Sequence, residues 1–185
     1  LDTSRGLGDV YKRQTSIRDD DPVIFMESEL MYGDKGNVPE QEYLIPIGKS
    51  NVVHEGNDVT LVSFGKMMKV AEETFNVAKK ENISVEVIDL RSVRPIDYDS
   101  IVKSVKKTNR LVIIEEAWPL ASISSEISHH IQRFAFDYLD APVHRITCED
   151  VPFHYAPTLI KEILPSVEKA MNCLLYTSDA ADDLI

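Results

Sequence analysis

Val59-Thr60-Leu61-Val62-Ser63-Phe64, followed by Gly65 and the stretch Lys66 to Asn82, decides the fold. The first part is a run of β-branched, apolar and aromatic residues, which suits a pleated and covered surface. In the second, Met67, Val70, Ala71, Thr74, Phe75 and Ala78 recur at three- and four-residue steps and share one helical face. A strand passes into a helix here, and the unit then repeats. Ser84 to Leu90 alternates as a second strand, and Asp97 is placed to cap a helix whose inward positions are Ile101, Val102 and Val105. Leu111-Val112-Ile113-Ile114 is continuously apolar, as a strand covered on both faces would be. Ile123, Ile127, Ile131, Phe134, Ala135 and Tyr138 mark a further helix, Val143 to Thr147 a fourth strand, and Pro165 to Met171 a last short helix.

Strands alternating with helices of this length imply right-handed crossovers, hence an α/β fold with a mostly parallel sheet and helices on both faces. The alternation leaves an antiparallel edge strand open. Upstream, Pro22 to Glu27 reads as a short strand. Residues 33–58 carry Gly33, Gly36, Pro39, Pro46, Gly48 and Gly56 with little periodicity, the composition of a linker. The folded unit is expected over 59–173. Segments 1–14 and 174–185 stand outside the apolar rhythm, and Tyr176-Thr177-Ser178-Asp179-Ala180-Ala181-Asp182-Asp183 resembles translated adapter sequence. Both ends are expected to be foreign to the domain or disordered.

With 185 residues, 43% of them hydrophobic, the chain can build one core. A formal net charge of -11 argues against nucleic acid or an anionic membrane as partner, since both attract Lys and Arg. A basic protein surface suits it better. Cys148 and Cys173 are too few for a disulfide framework and lack metal-ligand spacing, so both read as free thiols of a reducing compartment. No apolar run is long enough to span a bilayer, and the expectation is a soluble, cytoplasmic protein.

Catalytic signatures are sparse. A dinucleotide site would need a glycine-rich loop after the first strand, and that turn offers only Gly65. Gly33-Asp34-Lys35-Gly36-Asn37 departs from the Gly-Asp-Gly start of a thiamine diphosphate motif at Lys35. The five histidines lack the spacing of a zinc site, and Ser63, Ser122, Ser124 and Ser125 lack a nucleophile elbow; helix-start hydrogen bonding is their expected role. One constellation stands out: Arg91 and Arg94 follow the second strand, Glu115 and Glu116 the third. As parallel neighbours these strands would bring both pairs to one sheet edge, as an ion-pair cluster bracing loops or a subunit contact, or as a ligand site.

Several strings, taken in order, are similar to one family. They include Arg18-Asp19-Asp20-Asp21-Pro22, Glu27-Ser28-Glu29-Leu30-Met31-Tyr32-Gly33, Ile45-Pro46-Ile47-Gly48-Lys49 and Asp89-Leu90-Arg91-Ser92-Val93-Arg94-Pro95. Glu115-Glu116-Ala117-Trp118-Pro119, Leu139-Asp140-Ala141-Pro142 and Asp150-Val151-Pro152-Phe153-His154-Tyr155-Ala156 continue the match. They resemble the beta subunits of thiamine-dependent 2-oxo acid dehydrogenases, in the pyruvate dehydrogenase branch, from about Ser16 to Met171. The resemblance implies that 15–32 ends a cofactor-binding pyrimidine domain and that 59–173 is a carboxy-terminal domain like that of transketolase. It implies thiamine diphosphate and Mg in the complete heterotetramer, with no catalytic, cofactor or metal residue in this stretch. Its partners would be an alpha subunit, a second beta subunit and the binding domain of a dihydrolipoamide acetyltransferase. Trp118 joins Arg91, Arg94, Glu115 and Glu116 as expected structural or subunit contacts, and Asp137, Asp140, Glu149 and Asp150 are the expected docking residues. A branched-chain 2-oxo acid or acetoin dehydrogenase beta subunit is the alternative reaction; a nucleotide-binding or interaction module is the alternative class. Many members of the family carry glycines where Ser122 and Ser124 stand.

Overall fold

The computed structural model describes residues 13–35 and 44–182, with side chains through residue 177. The strands are β1 (Asn51–His54), β2 (Val59–Ser63), β3 (Val85–Asp89), β4 (Leu111–Ile114) and β5 (His144–Ile146). Beyond residue 44 the helices are α1 (Met68–Ala78), α2 (Tyr98–Thr108), α3 (Ile123–Phe134), α4 (Pro157–Ile163) and α5 (Val167–Asp182). The strands form one sheet in the order β1-β3-β2-β4-β5, and every pairing is parallel except that of β1 with β3. The open question of an antiparallel edge is thereby answered, with a strand drawn from the stretch read as linker.

Strand geometry explains why β2, β3 and β4 are apolar at nearly every position. Successive side chains point to opposite faces, and helices cover both. Val59, Leu61, Val85, Val87, Val112 and Ile114 join the core under α1 and α5. Val62, Ile88, Leu111 and Ile113 join the core under α2 and α3, against Ile101, Val105, Ile127 and Ile131.

Two buried polar positions interrupt this second face. Register sets Thr60 opposite Glu86 beneath the end of α2. Thr60 Oγ1 lies 2.6 Å from both Ser104 Oγ and Thr108 Oγ1, and Lys107 Nζ forms an ion pair with Glu86. Buried hydroxyls and a buried charge are satisfied locally, as an interior requires.

Three local expectations change. Pro22 to Glu27 has no strand partner among the described residues, and Ile24 is 90% and Met26 85% exposed. A single segment has no ladder without a neighbour. The last helix continues past Met171 to Asp182, because Val167, Ala170, Met171, Leu174 and Thr177 keep three- and four-residue spacing. Leu174 and Thr177 are buried, so part of the segment expected to lie outside the fold packs on α1. Thirdly, Asp97 occupies the position before α2, but its carboxylate accepts from Ser50 N (3.0 Å), Ser50 Oγ (3.2 Å) and Ser100 Oγ (2.9 Å) instead of capping the helix amides.

Candidate functional site at the carboxyl edge of the sheet

From β2 the chain moves to β3 on one side, then crosses back to β4 on the other. The crevice outside the carboxyl ends of β2 and β4 is therefore the switch point where an open α/β sheet would accept a ligand. The turn after β2 holds Gly65 at φ 58, a left-handed conformation in which glycine meets no Cβ penalty. A crossover at this point needs such a turn, which accounts for the lone glycine without a phosphate.

The crevice is filled by the chain's own charges. Glu115, only 4% exposed, accepts from Ile123 N at 3.0 Å and Ser124 N at 2.7 Å, binding the open amides at the start of α3. Ser122 at the N-cap accepts from Ser125 N at 3.3 Å, the helix-start role expected of these serines. Lys66, directly after Gly65, pairs with Glu116 at 2.5 Å. The strained backbone nearby is at Ala121, with φ 53, whereas Ser122 has φ -87 and needs no glycine.

Arg91 and Arg94 do not join these glutamates. β2 lies between β3 and β4, so the two loops start two strand spacings apart, about 10 Å. Arg91 instead turns back on its own strand: its Nε is 3.7 Å from Asp89 Oδ2, and its backbone N–H donates to Asp89 Oδ1. Arg94 is exposed. The loop they share is fastened to the segment before β1: a Cβ on Gly48 would stand 2.7 Å from Pro95 Cγ, and Asp97 grips Ser50 with Lys49 at 3.8 Å. Two strings of the sequence, Ile45 to Lys49 and Arg91 to Pro95, are therefore halves of one contact.

Burial raises the carboxyl pKa of Asp97, but the hydrogen bonds from Ser50 and Ser100 outweigh it and leave the group below its ordinary value. Glu86 is likewise lowered, burial being overcome by its bonds from Lys107 and Ser104. The folded state therefore binds fewer protons than the unfolded chain where carboxyls titrate, and both groups stabilise above the unfolded range and lose that contribution as pH falls through their depressed values. The melting temperature is expected to hold steady down to about pH 5 and then decline, with Asp97→Asn and Glu86→Gln lowering the plateau and flattening the decline. An acid limb unchanged in both variants would refute this assignment.

The loops after β4 and β5 are tied together: Cys148 N donates to Ala117 O at 2.9 Å, Trp118 Nε1 to Val151 O at 3.1 Å, and Arg145 Nη1 to Pro119 O at 3.0 Å. Held in this way they present Trp118, Leu120, Phe153 and Tyr155 to solvent, Tyr155 fully exposed. Large apolar groups exposed on fixed loops make this edge a candidate contact surface. The four acidic candidates divide between the ends of the sheet. Asp137 and Asp140 precede β5, beside exposed Phe134 and Phe136, while Glu149 and Asp150 follow β5, with Glu149 paired to Lys169 at 3.0 Å. They fall into two groups, since a strand separates them.

Burial raises both thiols, that of Cys173 to about 11, so neither is a thiolate nucleophile at neutral pH. Among the described residues no group of three or more His, Cys, Asp or Glu side chains is placed to hold a metal ion, and no helix is long and apolar enough to cross a membrane.

These features define a class: a doubly wound α/β domain whose carboxyl edge carries ion pairs and exposed apolar loops where a phosphate loop would lie. Over residues 48–170 the sequence matches the family described as transketolase, C-terminal domain, and the chain belongs to that family. It is 48% identical over 167 residues to "Pyruvate dehydrogenase E1 component subunit beta" of Rickettsia felis, covering 89% of this chain and 51% of that protein. It is 43% identical over 160 residues to "Acetoin:2,6-dichlorophenolindophenol oxidoreductase subunit beta" of Bacillus subtilis, covering 86% of this chain and 47% of that protein. The chain thus spans about half the length of the curated relatives it matches. Among solved structures, "Split gene transketolase, inactive beta4 tetramer" shares the fold, with a TM-score of 0.65 and 23% identity over 77% of this chain and 45% of the other.

Proposed function

We propose that this chain is the carboxy-terminal part of the beta subunit of a thiamine-diphosphate-dependent pyruvate dehydrogenase, serving subunit assembly and docking to an acetyltransferase core. The observation that carries the reading is the carboxyl edge: its crevice is closed by Lys66–Glu116 and by Glu115 on α3, while Trp118, Leu120, Phe153 and Tyr155 stand uncovered. A surface closed by the chain's own side chains and bearing exposed apolar groups on fixed loops is suited to binding protein. The 48% identity to a pyruvate dehydrogenase beta subunit supports that reaction as the one the assembly serves.

The described residues do not fit thiamine diphosphate or its Mg. The turn after β2 offers a single glycine, and Lys66 is taken up by Glu116. The cofactor would be held by the remainder of the beta subunit with an alpha subunit, in a heterotetramer. Residues 15–32 then end the preceding domain, and exposed Ile24 and Met26 would be covered by that domain's sheet. Two unpaired cysteines support a reducing compartment, the cytoplasm in the simplest case.

Docking is tested on the assembled alpha–beta enzyme against the acetyltransferase binding domain. Affinity should fall with added salt, and Asp140→Lys or Asp150→Lys should weaken it about tenfold or more, because charge complementarity with a basic domain is screened by ions. Salt-insensitive binding with full affinity in both variants overturns the docking role. The likeness to an acetoin-acting beta subunit supports a second reading, which the same enzyme decides by turning over acetoin in preference to pyruvate.

A further inference from the structure

Helices α2 and α3 lie side by side over the sheet, joined beneath by Ile101, Val105, Ile127 and Ile131. A second junction ties them at the surface. Tyr98, in the first turn of α2, donates its hydroxyl to Glu126 Oε1 at 2.9 Å and lays its ring on His130, 3.8 Å between centroids and 15° from parallel. His130 leans in turn on Phe134, at 4.5 Å. Glu126 and His130 stand four residues apart on α3, one turn along the same face. Glu126 is thus set between two partners, the Tyr98 hydroxyl on the neighbouring helix and the imidazole on its own. A neutral imidazole brings it no charge, and the carboxylate bonds to Tyr98.

We propose that Tyr98, Glu126 and His130 form a pH-sensitive clasp between α2 and α3, closed by Tyr98 on Glu126 while His130 is neutral and opened when a proton on His130 draws Glu126 into a pair along α3. The imidazole faces Glu126, His129 and Arg133 from α3 and Asp99 from α2, and it lines a groove with Lys103 and Lys106 of α2. Burial among the rings is the largest influence on it and lowers its pKa. Glu126 and Asp99 pull the other way, Arg133 and His129 add to the lowering, and the balance leaves the group below its ordinary value. The closed clasp therefore binds fewer protons than the open one. Closure is favoured above the ordinary imidazole range, about pH 6.5, and is lost as pH falls through the lowered value. Once charged, the ring attracts Glu126 one turn back, the carboxylate turns to it, and the Tyr98 hydroxyl returns to water. The apolar contacts beneath do not titrate, so the opening is confined to the surface and leaves both helices in place.

Proton NMR of the chain between about pH 8 and about pH 5 tests the clasp through the nuclear Overhauser contacts between the Tyr98 and His130 rings. These contacts should be present at the upper end and lost at the lower, with the same midpoint as the His130 ring shifts and below about 6.5. His130→Phe, which stacks but takes no proton, should hold Tyr98 against α3 at every pH. Glu126→Gln keeps an acceptor for the Tyr98 hydroxyl but carries no charge for an imidazolium, so the His130 midpoint should drop further and the ring contacts should persist to lower pH. Neither side chain belongs to the core, and unchanged methyl signals from buried Ile127 and Ile131 confirm that the variants fold. Ring contacts that persist through the His130 titration in the parent overturn the proposal. So does a His130→Phe variant in which Tyr98 still leaves α3 with the parent's midpoint.

Discussion

Glu115→Ala is expected to lower the unfolding free energy by about 3 kcal/mol, read as a drop in the urea midpoint at unchanged slope. Two amides at the start of α3, those of Ile123 and Ser124, depend on this carboxylate, and it is buried with them. Alanine removes the acceptor without admitting water, so two donors lose their partner in a closed site, each at about 1 to 3 kcal/mol. Part of the loss is electrostatic, because a negative group is set against the positive end of a helix. Glu115→Gln keeps an acceptor oxygen and gives up the charge, so it should fall between parent and alanine. An alanine variant within about 0.5 kcal/mol of the parent would mean that α3 finds another cap, and the account of the closed crevice would be wrong.

Gly56→Ala should be at least as costly. A Cβ there would stand 2.2 Å from Val85 C, 2.3 Å from Glu86 N and 2.5 Å from Val85 O, all backbone atoms of β3, which a side-chain rotation cannot move aside. Relief requires lifting the turn between β1 and β2 off the sheet, with a loss of about 3 kcal/mol and fast hydrogen exchange at the amides of β1. Gly33→Ala is the control, because nothing lies within 4 Å of its added carbon. If Gly56→Ala melts with the parent, the close approach of this turn to β3 is not real.

The repeating part of the fold was legible because its signals are local. Leu111-Val112-Ile113-Ile114 reads as a strand covered on both faces wherever it falls in the sheet, and Ile127 and Ile131 face inward whichever strand they cover. Strand order is a different matter. Nothing in the residues of β4 records that it lands beyond β2 and not beside β3, so the expected meeting of Arg91 and Arg94 with Glu115 and Glu116 failed on topology while the elements themselves were right. β1 escaped notice since four residues between glycines carry too little pattern, and its place comes from pairing with β3. The glutamates were singled out for the wrong partners. Lys66 and the amides of α3 could have been suspected only from knowing that the turns after β2 and β4 adjoin.

The placement of β1 has a mechanical consequence. The chain leaving Leu44 runs through buried Ile45 and the Asp97–Ser50 clasp, and then pairs antiparallel with β3, Asn51 against Asp89 and Val52 against Ile88. A pull on the amino-terminal side acts along these hydrogen bonds in shear, loading several together instead of peeling them one at a time. The chain is therefore clasped to the sheet already from Ile45, well before Asp58, where composition places the end of the linker.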